Sequence, residues 1–406
     1  MRKVVVIGGG PAGMMSAIIS AQQNNKVILL EKNEKLGKKL FITGKGRCNL
    51  TNDSSVENVI NNVVTNSKFL FSALNEFSPS KVLDFFEDVG LKLKTERGNR
   101  VFPQSDKSSD VIKCLEALLI KNGVDIRLNT TVTDLIVTDD KITAVKYNGG
   151  IINCDAVIVA TGGVSYPKTG STGDGYKFAS KLGHNVITPK PALVGIQLKR
   201  TILSGNKELT LKNVTLSASA DNKVLYKELG EVLLTDYGIS GPLTLTCSSL
   251  INNRNLNDIT FFIDFKPALS EEKLESRILR DFSQAKNSPI YLVLSKLIPS
   301  AIEYAVLTQA GINKQKKVSD ITAVERKNLI KALKYLKIQP KSFRSIDEAI
   351  ITSGGISVKN ISPKTMESKL IKDLYFAGEV IDVDALTGGY NIQIALSTGY
   401  VAGKNA

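Results

Sequence analysis

The chain has few of the residues on which several large enzyme classes depend. Among its 406 residues there is no tryptophan, one histidine and four cysteines. The single histidine excludes chemistry that needs two imidazoles. The cysteines lie far apart with no CxxC pair, so the sequence predicts no disulfide framework, no dithiol reductase centre and no metal site. A chain without a disulfide pattern is expected in a reducing, cytoplasmic compartment.

Long apolar runs are also missing. No stretch reaches the roughly 18 residues that span a bilayer, so we expect no membrane segment. The apolar run at residues 4–7 is short and gives way to glycines, which predicts a buried strand rather than a signal peptide. The hydrophobic fraction of 42% is that of a globular protein, and the length predicts two or three domains.

Positive charge is concentrated in one part of the chain. The formal net charge is +14, and residues 311–345 hold ten lysines and arginines but only two acidic residues. A helical pattern over residues 323–337 places Lys327, Lys331 and Lys334 away from a leucine stripe. Two interpretations stay open. The lysines form either an ordinary solvated surface or a face that binds a polyanion such as ribosomal RNA.

The N-terminal segment carries a dinucleotide fingerprint. A strand over residues 2–7 runs into Gly8, Gly10 and Gly13, which fit G-x-G-x-x-G. These glycines allow a tight turn, close approach of the backbone to a pyrophosphate, and close packing of the next helix. That helix is expected over about residues 11–24, with its N-terminus directed at the phosphates.

The second strand ends in an acid at the expected place. Residues 27–30 are apolar, and Glu31 follows 18 residues after Gly13. A carboxylate at this spacing binds the ribose hydroxyls of a dinucleotide. Strand, helix, strand and acid therefore occur in the order that predicts a dinucleotide site.

The segments that follow distinguish among dinucleotides. Residues 37–52 form a glycine- and cation-rich loop that is too long for an ordinary connection. Residues 125–147 predict three short strands with a turn at Asp139-Asp140. A further strand over 154–160 enters Thr161-Gly162-Gly163. This arrangement is typical of flavoproteins of the two-dinucleotide type rather than of simple NAD dehydrogenases.

The C-terminal segment predicts the other end of the same site. A strand over 374–377 leads into Gly378–Asp384, and Gly388-Gly389-Tyr390-Asn391 precedes the last helix. Ligands lie at the carboxyl ends of the strands in doubly wound sheets. We therefore expect this segment to meet the N-terminal glycines in space.

Four motifs carry a resemblance to a known family. They are GKGRCNLTN (44–52), TGGVSYPKTGSTGDGY (161–176), YGISGP (237–242) and FAGEVIDVDALTGGYNIQIALSTG (376–399). Together they resemble the BaiN-like FAD-dependent oxidoreductases, a group that includes aminoacetone oxidases, a bile-acid enone reductase and ribosomal RNA dihydrouridine synthases. The resemblance runs through the whole chain.

The resemblance implies an α/β fold. A Rossmann-type FAD-binding domain of the glutathione-reductase type would be interrupted by an inserted β-barrel plus helical domain. The expected division is residues 1–190 with 345–406 for the FAD-binding domain, 191–268 for the barrel-like part, and 269–344 for the basic helical part. Strand-like runs between 194 and 265, and helix starts at Ser270 and Ser288-Pro289, agree with it.

The fingerprint and the resemblance together predict FAD as the cofactor. The sequence contains no second G-x-G-x-x-G, so NAD(P)H, if it is the reductant, is expected to bind transiently over the flavin. The predicted cofactor-binding residues are Gly8, Gly10, Pro11, Ala12, Gly13, Glu31, Lys32, Lys38, Thr43, Gly44, Arg47, Cys48, Asn49, Val132, Thr161, Gly162, Gly378, Glu379, Asp384, Gly389, Asn391 and Ile392.

Three residues are candidates for proton transfer. Cys48 lies close to Arg47 and Lys45 in the sequence, which predicts a lowered thiol pKa suited to a donor, although a small buried filler beside the cofactor is the favoured interpretation. Relatives commonly carry Thr-His where this chain has Thr235-Asp236. Any mechanism that uses that histidine is therefore in doubt here. Tyr237 is the nearest substitute donor, with Asp236 beside it.

Two other polar residues have more than one interpretation. His184 follows a predicted helix, and a satisfied structural histidine is the expectation. Asp174 opens another helix, where it either caps the N-terminus or lines the active site.

The expected function is an FAD-dependent oxidoreductase that moves hydride from reduced flavin to a C=C bond. The first hypothesis is reduction of uridine to dihydrouridine in large-subunit ribosomal RNA. The alternative is a small-molecule flavoenzyme, either an amine oxidase such as aminoacetone oxidase or an enone or steroid reductase. A flavin-bound RNA-binding factor without catalysis ranks last.

Overall fold

The computed structural model describes residues 1–205 and 208–406. The chain divides into two compact units. The first combines Met1–Pro191 with Ile346–Ala406, and the second is Ala192–Ser345. Each unit has its own hydrophobic core.

The strands have two to twelve residues and the α-helices five to sixteen. The strands are β1 Lys3–Ile7, β2 Lys26–Leu30, β3 Thr51–Asn52, β4 Val63–Thr65, β5 Leu93–Glu96, β6 Arg100–Pro103, β7 Asp125–Arg127, β8 Val132–Thr138, β9 Lys141–Tyr147, β10 Gly150–Asn153, β11 Ala156–Val159, β12 Val186–Ala192, β13 Ile196–Leu198, β14 Leu209–Ala220, β15 Lys223–Leu234, β16 Gly238–Ser240, β17 Thr260–Asp264, β18 Leu336–Ile338, β19 Pro340–Phe343, β20 Ile351–Ile356, β21 Leu374–Phe376 and β22 Asp384–Ala385. The α-helices are α1 Pro11–Gln22, α2 Lys38–Ile42, α3 Val56–Asn61, α4 Phe71–Glu76, α5 Pro79–Asp88, α6 Ser108–Lys121, α7 Asp174–Lys181, α8 Pro242–Ile251, α9 Glu271–Ser283, α10 Ile290–Leu294, α11 Ser300–Ala310, α12 Ala323–Lys334 and α13 Tyr390–Asn405.

A five-stranded parallel sheet forms the centre of the first unit. Its strand order is β21-β11-β1-β2-β7, so segments from both ends of the chain are neighbours. Strands β1, β2 and β11 are almost entirely buried. Continuous apolar runs are expected where helices cover both faces of a parallel sheet.

A β-meander lies beside this sheet. The three strands predicted between residues 125 and 147 are present, and Asp139 and Asp140 form the turn with positive φ angles. Strand β7 joins the main sheet, while β8, β9 and β10 form a separate antiparallel sheet with β9 in the middle.

The first and last helices of this unit are in backbone contact. A Cβ atom on Gly399 of α13 would lie 2.5 Å from the Ala12 carbonyl oxygen of α1, and one on Gly403 would lie 2.4 Å from that of Ser16. Real Cβ atoms do not approach backbone oxygen so closely. Glycines spaced four residues apart therefore allow the two helices to pack more tightly than side chains would permit.

The second unit is built on a seven-stranded antiparallel sheet. Its order is β18-β17-β14-β15-β16-β13-β19, with β14 and β15 forming a long hairpin. Only Gln339 separates β18 from β19, which lie at opposite edges. The sheet must therefore curl so that its edges approach each other, in a barrel-like form. Helices α9 to α12 lie between β17 and β18 in the chain and share one core with the sheet.

Two sequence-based details of this unit differ from the structure. The helix expected over 323–337 ends at Lys334, because Tyr335 leaves the helical conformation and Leu336 pairs with Ile263 in the sheet. Ser288 does not cap a helix; Pro289 holds that position before α10. The predicted cap at Ser270 is confirmed, since its hydroxyl accepts the Lys273 N–H at 3.3 Å.

Among residues 1–205 and 208–406, no helix has both the length and the apolar character needed to cross a membrane.

We predict that Gly399→Ala and Gly403→Ala each destabilise the protein. In an unconstrained helix, replacing glycine by alanine stabilises by about 1 kcal/mol. Here the added methyl group meets backbone oxygen, and overpacking costs about 1–3 kcal/mol. The free energy of unfolding in urea, at a fixed FAD concentration, should fall for both variants. Lys404 lies in α13 with the two glycines and forms a surface ion pair with Glu76 of α4. Lys404→Ala should change the free energy of unfolding by less than about 1 kcal/mol. Unchanged or increased stability of the glycine variants would contradict the packing argument.

Candidate functional site

The carboxyl ends of four neighbouring strands bring the predicted motifs together. Gly8 follows β1, Glu31 follows β2, Thr161 follows β11 and Gly378 follows β21. Because these strands are consecutive in a parallel sheet, all four ends lie along one edge. The convergence predicted from the sequence is confirmed for this edge.

The glycine turn after β1 forms a cradle. Gly8 has a φ of +105°, and a Cβ there would lie 2.4 Å from the Ala160 carbonyl oxygen. A Cβ on Gly13 would lie 1.8 Å from the Gly8 oxygen, whereas one on Gly10 would meet nothing within 4 Å. The open space is therefore confined to the N-terminus of α1, where Gly10 is the cap and Pro11 the first residue. A helix N-terminus with free N–H groups beside open space fits a pyrophosphate.

Glu31 supports this turn and remains able to bind a ligand. Its carboxylate accepts three hydrogen bonds, from the Gly9 N–H at 2.6 Å, the Asn33 backbone N–H at 2.8 Å and the Asn33 side-chain amide at 2.7 Å. A carboxylate has about four lone-pair positions, so capacity remains for a ribose hydroxyl. The Thr130 N–H donates to the Glu31 carbonyl at 2.9 Å, which brings the segment just before Val132 to the same place.

The loop over residues 44–52 binds the turn before α13 directly. With the Asn49 side-chain amide oriented so that its oxygen faces Gly389, this oxygen accepts the Gly389 N–H at 3.0 Å. Asn52 donates to the Gly388 carbonyl at 3.0 Å, and the Thr51 hydroxyl donates to Gln393. A Cβ on Gly389 would lie 2.3 Å from the Thr51 oxygen. Glycine at 389 is therefore required for this contact as well as for its positive φ.

The N-terminus of α13 offers further donors. Gly389 is the cap, and the N–H groups of the first three helical residues have no partner within the helix. The Asn391 side chain accepts the Ala385 N–H at 2.9 Å and donates to its carbonyl at 2.8 Å, which fixes the preceding turn. Aligned amides here can bind electron-rich carbonyl oxygens of a ring.

The predicted cofactor residues Arg47 and Lys38 bind other protein groups, as do Lys32 and Glu379. Arg47 donates to Asp106 at 2.7 Å and to Glu96, and its guanidinium lies 4.1 Å from the Phe102 ring centre. The Lys38 ammonium lies 3.3 Å from Glu34. Both side chains stabilise the loop that carries them. Their direct contact with a cofactor stays a prediction.

At the same edge, the predicted cofactor residue Glu379 lies in a polar cluster that the sequence did not predict. The Glu379 carboxylate accepts from the Lys39 ammonium at 2.7 Å and from the Thr352 N–H at 2.8 Å. Lys39 also donates to the Ser165 hydroxyl at 2.7 Å. Lys39 and Glu379 are 340 residues apart, so no local pattern links them.

Cys48 does not have the environment that the sequence predicted. The thiol is fully buried, and burial raises its pKa to about 12 although Thr43 acts in the opposite direction. Thr43 accepts the Cys48 N–H through its carbonyl, and Gly44 begins the intervening left-handed turn. The prediction of a lowered pKa is wrong, because burial of the thiol outweighs the other effects on it. The Arg47 charge is paired with Glu96 and Asp106. The filler interpretation therefore holds for this thiol.

Two buried carboxyl groups follow Glu379. Burial raises the pKa of Asp384, although hydrogen bonds from Thr65 and Ser353 act against it; the Ser353 hydroxyl donates at 2.9 Å. Burial likewise raises the pKa of Asp382, whose carboxylate accepts from Asn66 at 2.9 Å. Such groups keep a proton at higher pH than exposed aspartates do.

The other two proton-transfer candidates lie in the second unit. Asp236 is exposed, and its carboxylate accepts the Tyr237 N–H at 2.9 Å. Tyr237 is half-buried, with the Arg344 guanidinium 4.4 Å from its ring centre. A Cβ on Gly195 would lie 2.9 Å from the Tyr237 hydroxyl oxygen, so glycine at 195 leaves space beside that hydroxyl.

The side chains of His184 and Asp174 both bind other protein groups. His184 is buried, with Nδ1 3.1 Å from the Ala179 oxygen and Nε2 2.7 Å from the Ser368 hydroxyl, so the expected structural histidine is confirmed. Burial lowers its pKa. Asp174 is the first residue of α7 rather than its cap, and it binds Lys32 at 2.8 Å.

The basic face on α12 is smaller than predicted. Lys327 and Lys331 are exposed. Lys334 is only 7% exposed, because its ammonium binds Asp264 at 2.7 Å and the Leu269 carbonyl oxygen at 2.7 Å. Its assignment to an exposed face was wrong: the helix places it over the end of β17. Lys314, Lys317, Lys337 and Lys341 are exposed in the surrounding segments.

We predict that Cys48 reacts slowly with alkylating reagents in the native protein. Its thiol is buried and protonated at pH 8, and only the thiolate is a good nucleophile. Cys114, half-buried with a pKa raised to about 11, provides an internal comparison. Peptide mass spectrometry after iodoacetamide treatment should show Cys114 modified before Cys48, and all four cysteines modified in urea. Alkylation of native Cys48 at the rate of a free thiol would contradict the assignment.

Comparison with protein families identifies relatives of the whole chain. Residues 2–405 match the family profile described as the HI0933-like protein Rossmann domain. A 3-dehydro-bile acid delta(4,6)-reductase from Clostridium scindens is 29% identical over 94% of this chain and 92% of its own length. A protein named ribosomal RNA dihydrouridine synthase from Haemophilus influenzae is 29% identical over 92% and 90%. One of the same name from Escherichia coli is 27% identical over 93% and 91%.

Solved structures show the same fold at low sequence identity. A flavocytochrome c3 fumarate reductase covers this whole chain with a TM-score of 0.52 and 17% identity, over 78% of its own chain. A 3-ketosteroid-delta4-(5alpha)-dehydrogenase from Rhodococcus jostii does so with a TM-score of 0.54 and 14% identity, over 96% of its chain. These similarities establish the architecture of the chain.

Proposed function

Because this chain belongs to the HI0933-like protein Rossmann domain family and is an FAD-dependent oxidoreductase, we propose that it reduces a carbon–carbon double bond conjugated to a carbonyl group. The observation that carries the proposal is the similarity, over more than nine-tenths of the chain, to relatives named for two such reductions. A delta(4,6)-reductase of a 3-dehydro-bile acid and a dihydrouridine synthase both add two hydrogens across a double bond.

The residues at the sheet edge fit FAD. When bound and reduced, FAD supplies the hydride for such a reaction. The cradle at Gly10 suits the pyrophosphate, and Glu31 suits the adenosine ribose. The N-terminal amides of α13 suit the carbonyl end of the ring and would stabilise negative charge there. FAD binding therefore draws on both ends of the chain.

The reaction also needs a proton donor, and we propose Tyr237. Addition of hydride to one carbon must be matched by a proton at its neighbour. Cys48 is unsuited, because its thiol is fully buried. The Tyr237 hydroxyl can donate a proton, and the Arg344 guanidinium over its ring favours the negative charge that remains.

We predict that Tyr237→Phe separates the two half-reactions. Reduction of the flavin by its electron donor should proceed at the wild-type rate. Reoxidation of the reduced flavin by substrate should slow by roughly 100-fold, the lower range for loss of a general acid. Stopped-flow absorbance of the flavin measures both steps. Equal reoxidation rates in the variant and the wild type would exclude Tyr237 as the donor.

Uridine in large-subunit ribosomal RNA is the first substrate that we propose. Uracil contains a double bond conjugated to a carbonyl group. The exposed lysines Lys327 and Lys331 provide charge of the sign that RNA requires. NAD(P)H is proposed as a transient electron donor, to be tested by anaerobic reduction of the bound flavin with NADH and NADPH.

We predict that deletion of the gene removes a dihydrouridine from large-subunit ribosomal RNA. Mass spectrometry of nucleosides from the purified RNA measures it. Restoring the gene with Lys327→Glu and Lys331→Glu should leave the modification reduced, while Lys81→Glu, an exposed lysine of the first unit, should restore it fully. An unchanged dihydrouridine level in the deletion strain would contradict the RNA substrate.

A small-molecule enone is the second candidate. The bile-acid relative favours it, since it is at least as similar to this chain as the relatives named for RNA. This candidate predicts that a 3-oxo steroid with a conjugated double bond reoxidises the reduced flavin without RNA, and that the double lysine variant does so at the wild-type rate. An amine oxidase would instead be recognised by flavin reduction on addition of an amine such as aminoacetone.

A further inference from the structure

A long loop connects β11 to α7 past the carboxyl end of β1. It leaves β11 at Thr161 and enters α7 at Asp174. Strands β11 and β2 lie on opposite sides of β1. The loop makes its contacts at residues 32–33, just after β2, so it must pass the carboxyl end of β1. That end carries Gly8, Gly9 and Gly10.

The far end of the loop is fixed to the end of β2. The Lys32 ammonium binds the Asp174 carboxylate at 2.8 Å and the Thr172 hydroxyl. The Asn33 side chain donates to the Thr169 carbonyl at 3.0 Å. A Cβ on Gly170 would lie 2.4 Å from the Asn33 amide nitrogen, and Gly170 has a φ of +102°. A side chain at position 170 would be strained by this positive φ and would displace the Asn33 side chain.

The near end of the loop is fixed by a second lysine. Lys39 donates to the Ser165 hydroxyl at 2.7 Å and pairs with the Glu379 carboxylate at 2.7 Å. The Val164 N–H donates to the Thr352 hydroxyl at 2.9 Å. The two lysines lie seven residues apart, on either side of the turn that leads into α2.

We propose that residues 163–173 form a strap over the pyrophosphate of bound FAD, and that Lys32 and Lys39 are positioning residues that hold the strap closed and so set the rate of FAD release. Each lysine binds one hydroxyl group of the strap and one carboxylate outside it. Lys32 binds Thr172 and Asp174. Lys39 binds Ser165 and Glu379. Neither ion pair is deeply buried: the four side chains are between 20% and 27% exposed. The strap can therefore open through hydrated ion pairs without unfolding the sheet below it.

The charge state of Asp174 agrees with a closed strap at neutral pH. Burial by itself raises the pKa of this carboxyl, but the hydrogen bonds from Lys32, Thr172 and Lys177 and the charge of Lys32 outweigh it, and the pKa is lowered overall. The Lys177 ammonium lies 3.3 Å from the same carboxylate. The ion pair is thus complete above the ordinary pKa of an aspartate. The ion pair is lost as the pH falls through the lowered pKa of Asp174.

The experiment measures FAD dissociation from the purified holoenzyme, followed by the rise in flavin fluorescence on release. Lys32→Met and Lys39→Met keep most of the aliphatic stem and remove the charge. We expect each to accelerate release roughly three- to tenfold at low salt, and the double variant roughly 10- to 100-fold. Raising the salt concentration should accelerate the wild type and leave the double variant nearly unchanged. Arginine at either position should restore slow release.

Lys35→Met is the matched control. Lys35 lies between the two lysines, is exposed, and forms no ion pair within the described residues. The Lys35→Met variant should release FAD at the wild-type rate. Melting temperatures of the apoproteins should agree within a few degrees, which separates opening of the strap from unfolding.

Asp174→Asn distinguishes the strap from direct contact of Lys32 with FAD. If Lys32 acts through the strap, loss of Asp174 accelerates release as Lys32→Met does, and the exchange Lys32→Asp with Asp174→Lys slows it again. If Lys32 binds the phosphates directly, Asp174→Asn frees the lysine and leaves release unchanged or slower. That result, or wild-type release from the double lysine variant, overturns the proposal. None of these outcomes depends on the identity of the substrate.

Discussion

The backbone contact between α1 and α13 is the constraint on which the first unit depends. Gly399 and Gly403 remove the side chains that would hold the helices apart. The Gly378 N–H donates to the Thr398 hydroxyl at 2.9 Å and a Cβ on Gly378 would lie 2.7 Å from the Ala12 Cβ, so the last strand is fixed to the same helix pair. This packing places the N-termini of two helices, one from each end of the chain, at one edge of the sheet. The edge can therefore bind both ends of a long dinucleotide.

The segments between these two helices complete the edge. The loop at residues 44–52 holds the turn before α13 through Asn49 and Asn52. The segment after β2 holds the loop that follows β11 through Lys32 and Lys39. In both cases a polar side chain binds the backbone or a hydroxyl of a segment distant in the sequence. We therefore expect FAD binding to be a property of the assembled first unit.

Much of this edge is predictable from the sequence because its signals are local. The glycine spacing, the acid after β2 and the turn before α13 each occupy a few consecutive residues. The Lys39–Glu379 pair is not predictable in this way, because only the strand order brings the two residues together. The burial of a side chain likewise cannot be predicted from a few consecutive residues. It reverses the expected pKa shift of Cys48 and places Lys334 over β17 instead of on a charged face.

A crystal structure of the protein with FAD tests the central claim most directly, because it measures which chain segments contact each end of the cofactor. We expect the adenosine ribose hydroxyls within hydrogen-bond distance of Glu31, the pyrophosphate over Gly10, and the pyrimidine carbonyl groups of the ring at the N-terminus of α13. FAD bound in the reverse direction, or at a site that one end of the chain does not reach, would contradict the account.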